Sequence, residues 1–357
     1  MIDSSLIKLG WANVRNSVAE AVYIKTGADY TRPVSFHALV LEECNVKCRF
    51  CNYWRLPEYK KQLSIEQWKE VLTEIRDFVG TFHINFSGGE PFTKKGFPDL
   101  LKWAGENDIL AGVTTNGSVM NEKMAARVVD AKPFNVNFSL DSPEAEMHDY
   151  LRGAPGLFEK ILNGIRYLQA GMRSTGTKFQ IVFKMCVTAA NFELMPKAAE
   201  LARDMEVDGI LFQPVQEVTD EVTDELWIEE EKHGRLEEII EQMVRMRDEG
   251  YPILSSPKFM RLMLPHFRRE EAPKDLQPCR VGMRSFHIQP DGNVELCYKM
   301  PTVGKLGEQS VREIWRGPAA QAIRQATIEC PELCLCMGGS MFTAKEKFEQ
   351  VLRMGRG

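Results

Sequence analysis

The sequence contains no apolar run of the roughly 18 residues that a membrane-spanning helix needs, and no uninterrupted apolar segment typical of a secretion signal. It also lacks any long block of like charge, and with a net charge of −5 it has no basic signature for nucleic acid. Nine cysteines in 357 residues are too few for a disulfide scaffold. These absences predict a cytoplasmic protein that neither spans a membrane nor binds nucleic acid, and whose clustered cysteines bind metal.

The chain is long enough for one large domain and a smaller one. From residue 34 onward, strand-like apolar runs alternate with amphipathic helical stretches in six successive units. This alternation predicts a parallel sheet with right-handed crossovers, either an open doubly wound sheet or a barrel. The predicted strands are 34–41, 81–87, 109–115, 134–140, 178–188 and 209–213, and the predicted helices are 64–79, 98–106, 121–130, 157–170, 196–205 and 228–249.

Two helices have further sequence signals. Ser64 and Gln67 form a capping-box pattern at the start of helix 64–79, and Gly80 is placed to end it. An amphipathic helix is also predicted within residues 1–33, with its apolar stripe packed on the main domain. A helix on a membrane surface is the weaker interpretation, because few Lys or Arg residues accompany the stripe. The stripe consists of Leu6, Ile7, Trp11, Val14, Val18 and Val22.

Three predicted strands have one apolar face and one polar face, because side chains alternate along a strand. Strands packed on both faces would instead read as continuous apolar runs. The polar faces therefore predict a wet cavity for a polar substrate, or alternatively groups that pair with one another. The polar residues are His83, Asn85 and Ser87 in the second strand, Asn135, Asn137 and Ser139 in the fourth, and Gln180, Lys184, Cys186 and Thr188 in the fifth.

Three cysteines, Cys44, Cys48 and Cys51, directly follow the first predicted strand with the spacing C-x3-C-x2-C. Thiolates suit iron–sulfur clusters or zinc. Three close cysteines without a local fourth can hold three corners of a four-iron cluster and leave one iron open to a substrate. A structural zinc site would instead need all four positions filled.

This spacing, with the aromatic Phe50 before the last cysteine, resembles that of the radical S-adenosylmethionine (SAM) enzymes. The resemblance implies a catalytic 4Fe–4S cluster whose open iron binds SAM, and reductive cleavage of SAM to a 5′-deoxyadenosyl radical. It also implies a flavodoxin- or ferredoxin-like reductant. Between the two sheet architectures, it favours an α/β fold with a partial (β/α)6 TIM-like barrel. The active site of such a barrel is expected at the carboxyl ends of the strands.

The segment Gly88-Gly89-Glu90 follows the second predicted strand and matches the GGE motif of this family, which implies contact with the ammonium group of SAM. Paired glycines also allow close backbone approach. In similar enzymes, residues at the ends of the third and fourth strands meet the ribose and methionine parts of SAM. Here those positions hold Asn116, Ser139 and Asp141.

Two further positions are assigned by the same resemblance. Arg152 is similar to an arginine that pairs with the SAM carboxylate, a task that suits a bidentate guanidinium. Its other interpretation is an ordinary surface residue. Phe50 is expected near the adenine, or simply within the packed core.

A second cysteine group surrounds a predicted hairpin at Gly292, formed by strands over 283–288 and 294–298, which would bring Cys279 and Cys297 together. The group resembles the auxiliary-cluster domain of the family, called twitch or SPASM, and implies a second 4Fe–4S cluster. With five cysteines instead of about seven, it fits the shorter twitch form. A four-thiolate zinc site is the alternative. The favoured ligands are Cys279, Cys297, Cys330 and Cys334, with Cys336 as a substitute for Cys334 or a free thiol.

Two residues on the polar face of the fifth strand are the candidates for chemistry at the substrate. Cys186 could donate a hydrogen atom or hold a substrate, although free cysteines are more often small buried hydrophobes. Lys184 could bind an anionic group of the substrate or pair with a carboxylate.

The sequence thus predicts a radical SAM oxidoreductase acting on a small polar molecule. A maturase of ribosomal peptides is the first alternative, less favoured because the residues before the first strand are too few for a peptide-binding module. A non-catalytic zinc protein is the alternative from another class. The predicted divisions are 1–33 for a helical extension, 34–250 for the barrel, 251–278 for a linker, 279–336 for the auxiliary-cluster domain and 337–357 for a helical tail.

Overall fold

The strand–helix alternation of the sequence produces one sheet with helices packed against it. A computed structural model describes residues 4–56, 58, 61–216, 225–276 and 278–335. The first six strands are β1 (Ser35–Leu39), β2 (His83–Ser87), β3 (Leu110–Thr115), β4 (Asn135–Ser139), β5 (Gln180–Val187) and β6 (Gly209–Pro214). They lie side by side in chain order, and every neighbouring pair is parallel. The sheet does not close, so the predicted partial (β/α)6 barrel is confirmed.

Most helices of this part of the chain, but not the first, pack their apolar sides against the outer face of the sheet. The helices are α1 (Ser4–Thr26), α2 (Ile65–Val79), α3 (Phe97–Glu106), α4 (Glu122–Ala131), α5 (Ala145–Arg152), α6 (Leu157–Thr175), α7 (Met195–Asp204) and α8 (His233–Asp248). The capping box of α2 is confirmed, with Ser64 accepting from the Gln67 N–H, and Gly80 ends the helix at φ +86°. None of the described helices is long and apolar enough to cross a membrane.

The C-terminal part continues the same sheet. Its elements are α9 (Pro257–Arg261), α10 (Met263–Phe267), β7 (Ser285–Ile288), β8 (Asn293–Glu295), β9 (Gly304–Lys305), α11 (Val311–Arg316) and α12 (Pro318–Ile328). Strand β7 pairs in parallel with β1, and β8 and β9 follow in antiparallel order. The predicted hairpin is present, and it attaches the second cysteine group directly to the edge of the barrel sheet. The predicted helical tail lies outside the described residues.

Two features differ from the sequence-based expectation. Helix α5 was not predicted, because its buried face consists of His148, Leu151 and Arg152 and gives little apolar periodicity. Helix α1 is present, but the expectation that its apolar stripe packs on the domain is wrong, since Trp11 and Val18 of that stripe are exposed. The helix is held instead by polar groups on its opposite side.

The polar faces of the strands lie together, and the buried side chains of Asn85, Asn135 and Asn137 form a ladder of hydrogen-bonded amides. The Asn135 side chain donates to Asn137 at 2.7 Å, and Asn137 donates to Asn85 at 3.0 Å. Asn85 in turn donates to Thr114 at 3.2 Å. These groups pair with one another, as the second interpretation of the polar faces required. We therefore expect any space for a ligand nearer the carboxyl ends of the strands.

Helix α1 is attached through a buried ion pair that offers a direct test of the fold. Glu20 accepts from Arg284 at 2.6 Å and from Arg280 at 3.1 Å, and both Glu20 and Arg284 are buried. Removing one partner of such a pair leaves an uncompensated buried charge, so Glu20→Gln should lower the free energy of unfolding by about 3–5 kcal/mol. Denaturant unfolding and limited proteolysis of α1 measure the effect.

The matched control is Glu66→Gln, because Glu66 is exposed and pairs only with Lys69 on its own helix. That change should alter the free energy of unfolding by ~0.5 kcal/mol or less. Equal effects of the two substitutions would mean that the Glu20 pair does not hold α1 in place.

Candidate metal centre and its surroundings

The loop after β1 brings the first three cysteines together. Cys48 is buried, and Cys44 and Cys51 are half-buried. Burial raises the pKa of Cys44 to about 11, and it also raises the pKa of Cys48 and of Cys51. The charges of Cys48 and Cys51 raise the pKa of Cys44 further, and the charge of Cys48 also raises the pKa of Cys51. Because burial disfavours the charged form, three neighbouring thiolates here need a positive charge close by, which a bound metal would supply.

Several donors face these sulfurs. Backbone N–H groups of Val46 and Tyr53 stabilise the Cys44 and Cys51 thiolates and oppose the rise of their pKa values. The Asn116 side chain lies 3.7 Å from the Cys44 sulfur. Hydrogen bonds to sulfur tune the potential of an iron–sulfur cluster, so this set of donors fits such a cluster.

Arg152 lies beside the same loop, as the sequence predicted, but its surroundings are more specific. Its Nε is 2.5 Å from the Asp141 carboxylate, and its Nη1 is 3.5 Å from the Cys48 sulfur. The guanidinium also lies 5.3 Å from the centre of the Phe50 ring. Arg152 is therefore no surface residue. It is a buried cation that Asp141 orients toward the cysteines.

Asp141 is itself held by two residues that sequence reasoning missed. Its backbone N–H donates to His148 Nδ1 at 3.1 Å, and its carbonyl accepts from the Asn191 side chain at 2.7 Å. Its carboxylate accepts from the Cys186 N–H at 2.9 Å. Burial raises the pKa of Asp141, an effect that the Arg152 charge opposes. His148 belongs to a helix that the apolar pattern did not reveal, and the sequence around Asn191 carries no signal for this role.

Gly88 and Gly89 lie against the backbone of the cysteine loop. Gly89 donates to the Leu41 carbonyl at 2.9 Å, and Glu90 donates to the Glu43 carbonyl at 3.1 Å. A Cβ atom at Gly88 would lie 2.2 Å from the Leu41 oxygen, and one at Gly89 would lie 1.7 Å from the Glu43 oxygen. Only glycine permits this approach, which places the GGE segment directly beside the cysteines.

Glu90 connects this segment to the end of β3. Its buried carboxylate accepts from Thr115 Oγ1 and from the Asn116 N–H, each at 2.7 Å, and from the Phe92 N–H at 3.1 Å. Burial raises the pKa of Glu90 to about 7, although all three hydrogen bonds lower it. With three protein partners, the Glu90 side chain is a structural connection between the ends of β2 and β3.

The candidate substrate residues lie at the neighbouring strand ends. Ser139 and Lys184 are register partners on β4 and β5, and Cys186 is two residues further along β5. The Lys184 charge helps to lower the pKa values of His37 and His83, after the larger effect of burial. Lys184 therefore places a cation close to two half-buried imidazoles whose pKa values are lowered.

Four of the five C-terminal cysteines also converge. The pKa of Cys279 is raised to about 11 by burial, and the charges of Cys297, Cys330 and Cys334 raise it further. The Tyr298 hydroxyl lies 3.1 Å from the Cys334 sulfur. Cys336, the predicted substitute ligand, lies outside the described residues.

Comparison with known sequences defines the class of this protein. The radical SAM superfamily matches residues 39–184, and the SPASM iron–sulfur cluster-binding domain matches residues 279–337. The chain contains a radical SAM domain, and a C-terminal SPASM domain follows it. The first domain implies a 4Fe–4S cluster and SAM, and the second implies auxiliary iron–sulfur binding.

Particular relatives fall into two groups. Fe-coproporphyrin III synthase of Methanosarcina barkeri is 28% identical over 58% of this chain and 51% of its own length. PqqA peptide cyclase of Rhodopseudomonas palustris is 24% identical over 79% of this chain and 74% of its own length. The crystal structure of Streptococcus suis SuiB bound to S-adenosylmethionine has a TM-score of 0.67 at 18% identity, covering 87% of this chain and 72% of that one.

Coverage and identity limit what these relatives imply. This chain spans 51%, 40% and 38% of the lengths of three curated relatives, the first a Fe-coproporphyrin III synthase and the others AdoMet-dependent heme synthases. The likeness to SuiB concerns the fold alone. Substrate and reaction therefore have to be argued from the site.

The contact between Gly89 and the cysteine loop offers a specific test. In Gly89→Ala the new Cβ would displace the Glu43 carbonyl, so the loop could not hold its cluster. Iron and sulfide, counted after anaerobic reconstitution, should fall from about eight irons per chain to about four, because the auxiliary site stays intact.

Gly105→Ala is the matched control, since the nearest atom to its new Cβ would be 4.0 Å away. This variant should keep the full iron content. An unchanged count in Gly89→Ala, with native circular dichroism, would contradict the assigned role of the GGE segment.

Proposed function

We propose that the protein is a radical SAM oxidoreductase, or a related radical SAM enzyme, that removes hydrogen from a polar small-molecule substrate. The observation that carries this proposal is the group of three buried or half-buried thiols after β1, bordered by Arg152, Asp141 and the GGE segment. Together the bound cluster and SAM would supply a 5′-deoxyadenosyl radical. A flavodoxin- or ferredoxin-like protein would supply the electron.

The residues around the thiols then have distinct tasks. Cys44, Cys48 and Cys51 hold the cluster, and the Arg152 guanidinium offers donors to the SAM carboxylate while Asp141 keeps it oriented. The GGE backbone forms the adjoining edge, where the ammonium of SAM would bind. These groups are fixed before SAM arrives, so little ordering is needed on binding.

The ribose and adenine of SAM would lie along the neighbouring strand ends. Asn116 follows β3, Ser139 ends β4, and Phe50 lies next to Arg152. The buried core beneath them, including Phe86 and Phe138, excludes water from this edge of the sheet. Exclusion of water and a fixed position near one C–H bond would provide position selectivity.

The substrate would occupy the open part of the barrel above the amide ladder. Lys184 is the cation of this region, next to His37 and His83, so we assign it to an anionic group of the substrate, such as a carboxylate. Cys186 is the candidate to donate a hydrogen atom or to hold the substrate. Its backbone is fixed by Asp141 and by Asn191.

The auxiliary cluster would act close to the same cavity. Tyr298, which contacts Cys334, also donates to the Gln216 side chain at 3.4 Å, and Gln216 is the second residue after β6. The second cysteine group thus lies beside the carboxyl end of the sheet. This position supports a role in accepting the substrate electron or in anchoring the substrate.

Modification of a ribosomally made peptide is the second candidate function. It is favoured by the match to PqqA peptide cyclase over 79% of this chain. One fold neighbour is SuiB bound to the precursor peptide SuiA. Micromolar binding of a candidate leader peptide, with none of a small carboxylate, would favour the peptide over the small molecule.

SAM cleavage tests the proposed class of reaction. The anaerobic wild-type protein reduced with dithionite should form 5′-deoxyadenosine, and the triple variant Cys44/Cys48/Cys51→Ala should form none. Cys297→Ala removes only an auxiliary ligand and should keep the cleavage. Failure of the fully iron-loaded wild type to cleave SAM, or cleavage by the triple variant, would contradict the proposal.

The role of Lys184 is tested on substrates that stimulate 5′-deoxyadenosine formation. Loss of a hydrogen bond to a charged group costs about 1.5–3 kcal/mol, so Lys184→Met should raise KM for a carboxylate substrate roughly 10- to 150-fold. Lys184→Arg should recover part of the affinity. The control Lys178→Met changes a lysine before β5 and should leave KM unchanged. An equal KM in Lys184→Met and wild type would refute the assignment.

A further inference from the structure

Helix α1 is held by its polar side. Asn16 donates to the Met283 carbonyl at 3.0 Å, and Glu20 is buried against Arg280 and Arg284. The Asn16 side chain also accepts from the Arg32 N–H at 2.8 Å. These contacts fix which side of the helix faces the domain, so the helix cannot rotate to bury its opposite side.

The opposite side of α1 is apolar and lies in solvent. Ile7, Trp11, Val14 and Val18 are exposed by 51%, 70%, 45% and 61%. Their spacing of four, three and four residues puts them on one stripe. A surface helix normally buries its apolar stripe and exposes its polar one, and α1 does the reverse. A contiguous exposed stripe of this kind marks an interaction surface.

The exposed charges of α1 all have the same sign. Lys8, Arg15 and Lys25 are exposed, whereas Glu20, the acidic residue of the helix, is buried in its ion pairs. The whole chain carries a net charge of −5, so the positive charge exposed on α1 is a local feature. A partner of the exposed face of α1 must therefore accept both apolar side chains and cations.

We propose that the outer face of α1 docks on an anionic lipid surface. Such a surface provides an apolar layer for Ile7, Val14 and Val18, an interface for the Trp11 ring, and negative headgroups for the basic residues. A second copy of the chain is the less suitable occupant, because pairing two such faces would bring their cations together with no exposed acid on either helix to offset them.

Docking in this orientation leaves the catalytic site accessible. The Arg284 carbonyl accepts from the N–H groups of Val34 and Ser35, so the contacts of α1 lie at the amino ends of β1 and β7. The cysteine loop lies at the carboxyl end of β1. The lipid surface and the site would therefore be on opposite ends of the sheet, and the two proposals can fail independently.

Co-sedimentation with vesicles tests this inference on the full chain. Wild type should bind vesicles of phosphatidylcholine with phosphatidylglycerol and should bind pure phosphatidylcholine much more weakly, and high salt should reduce binding. Trp11→Ser should weaken the binding about tenfold, and the double variant Lys8→Glu/Arg15→Glu about 30-fold or more.

The control variants change an exposed aromatic residue and exposed basic residues on a different helix, α6. Tyr167→Ser alters an exposed aromatic on α6, and Lys160→Glu/Arg166→Glu reverses two exposed charges there. Both should bind like wild type, and all variants should keep the wild-type unfolding midpoint and iron content. Absence of vesicle binding, equal binding to both vesicle types, or no effect of either α1 variant would overturn the proposal. A dimer that Trp11→Ser dissociates, without vesicle binding, would assign the stripe to a second copy instead.

Discussion

The close backbone approach between Gly89 and the loop after β1 is the constraint on which the catalytic site depends. It lets the GGE segment hydrogen-bond to Leu41 and Glu43 and so fixes the path of the chain into Cys44. From there Glu90 ties the segment to the end of β3, where Asn116 reaches back to the Cys44 sulfur. The ends of three strands are thereby held around the cysteines before any cofactor binds.

Electrostatics impose a second condition on the same region. Burial raises the pKa values of all three thiols, so the thiolate form needs positive charge nearby. Arg152 provides one such charge, and its own burial is offset by Asp141. Bound iron would provide the rest. Bound iron would therefore stabilise the thiolate form of these cysteines, which is the form that ligates a cluster.

Much of the barrel could be predicted from the sequence, because strand parity, helix periodicity and the Ser64 capping box are local signals. The cysteine spacing likewise located the centre of the site. The rest depends on contacts between distant segments. The hydrogen bonds with His148 and Asn191 that hold Asp141 have no local sequence signal. The apolar pattern gave a wrong prediction for α1, because polar residues form the buried side of that helix. Periodicity finds a stripe but does not reveal which side of a helix the fold covers.

The most direct test of the central claim is electron paramagnetic resonance of the reduced protein with and without SAM. The variant Cys279/Cys330→Ala should be used, because it lacks two proposed ligands of the auxiliary site and keeps Cys44, Cys48 and Cys51. The account predicts a reduced four-iron signal whose shape changes when SAM is added, since one iron is open to it. A four-iron signal that SAM leaves unchanged would contradict the account.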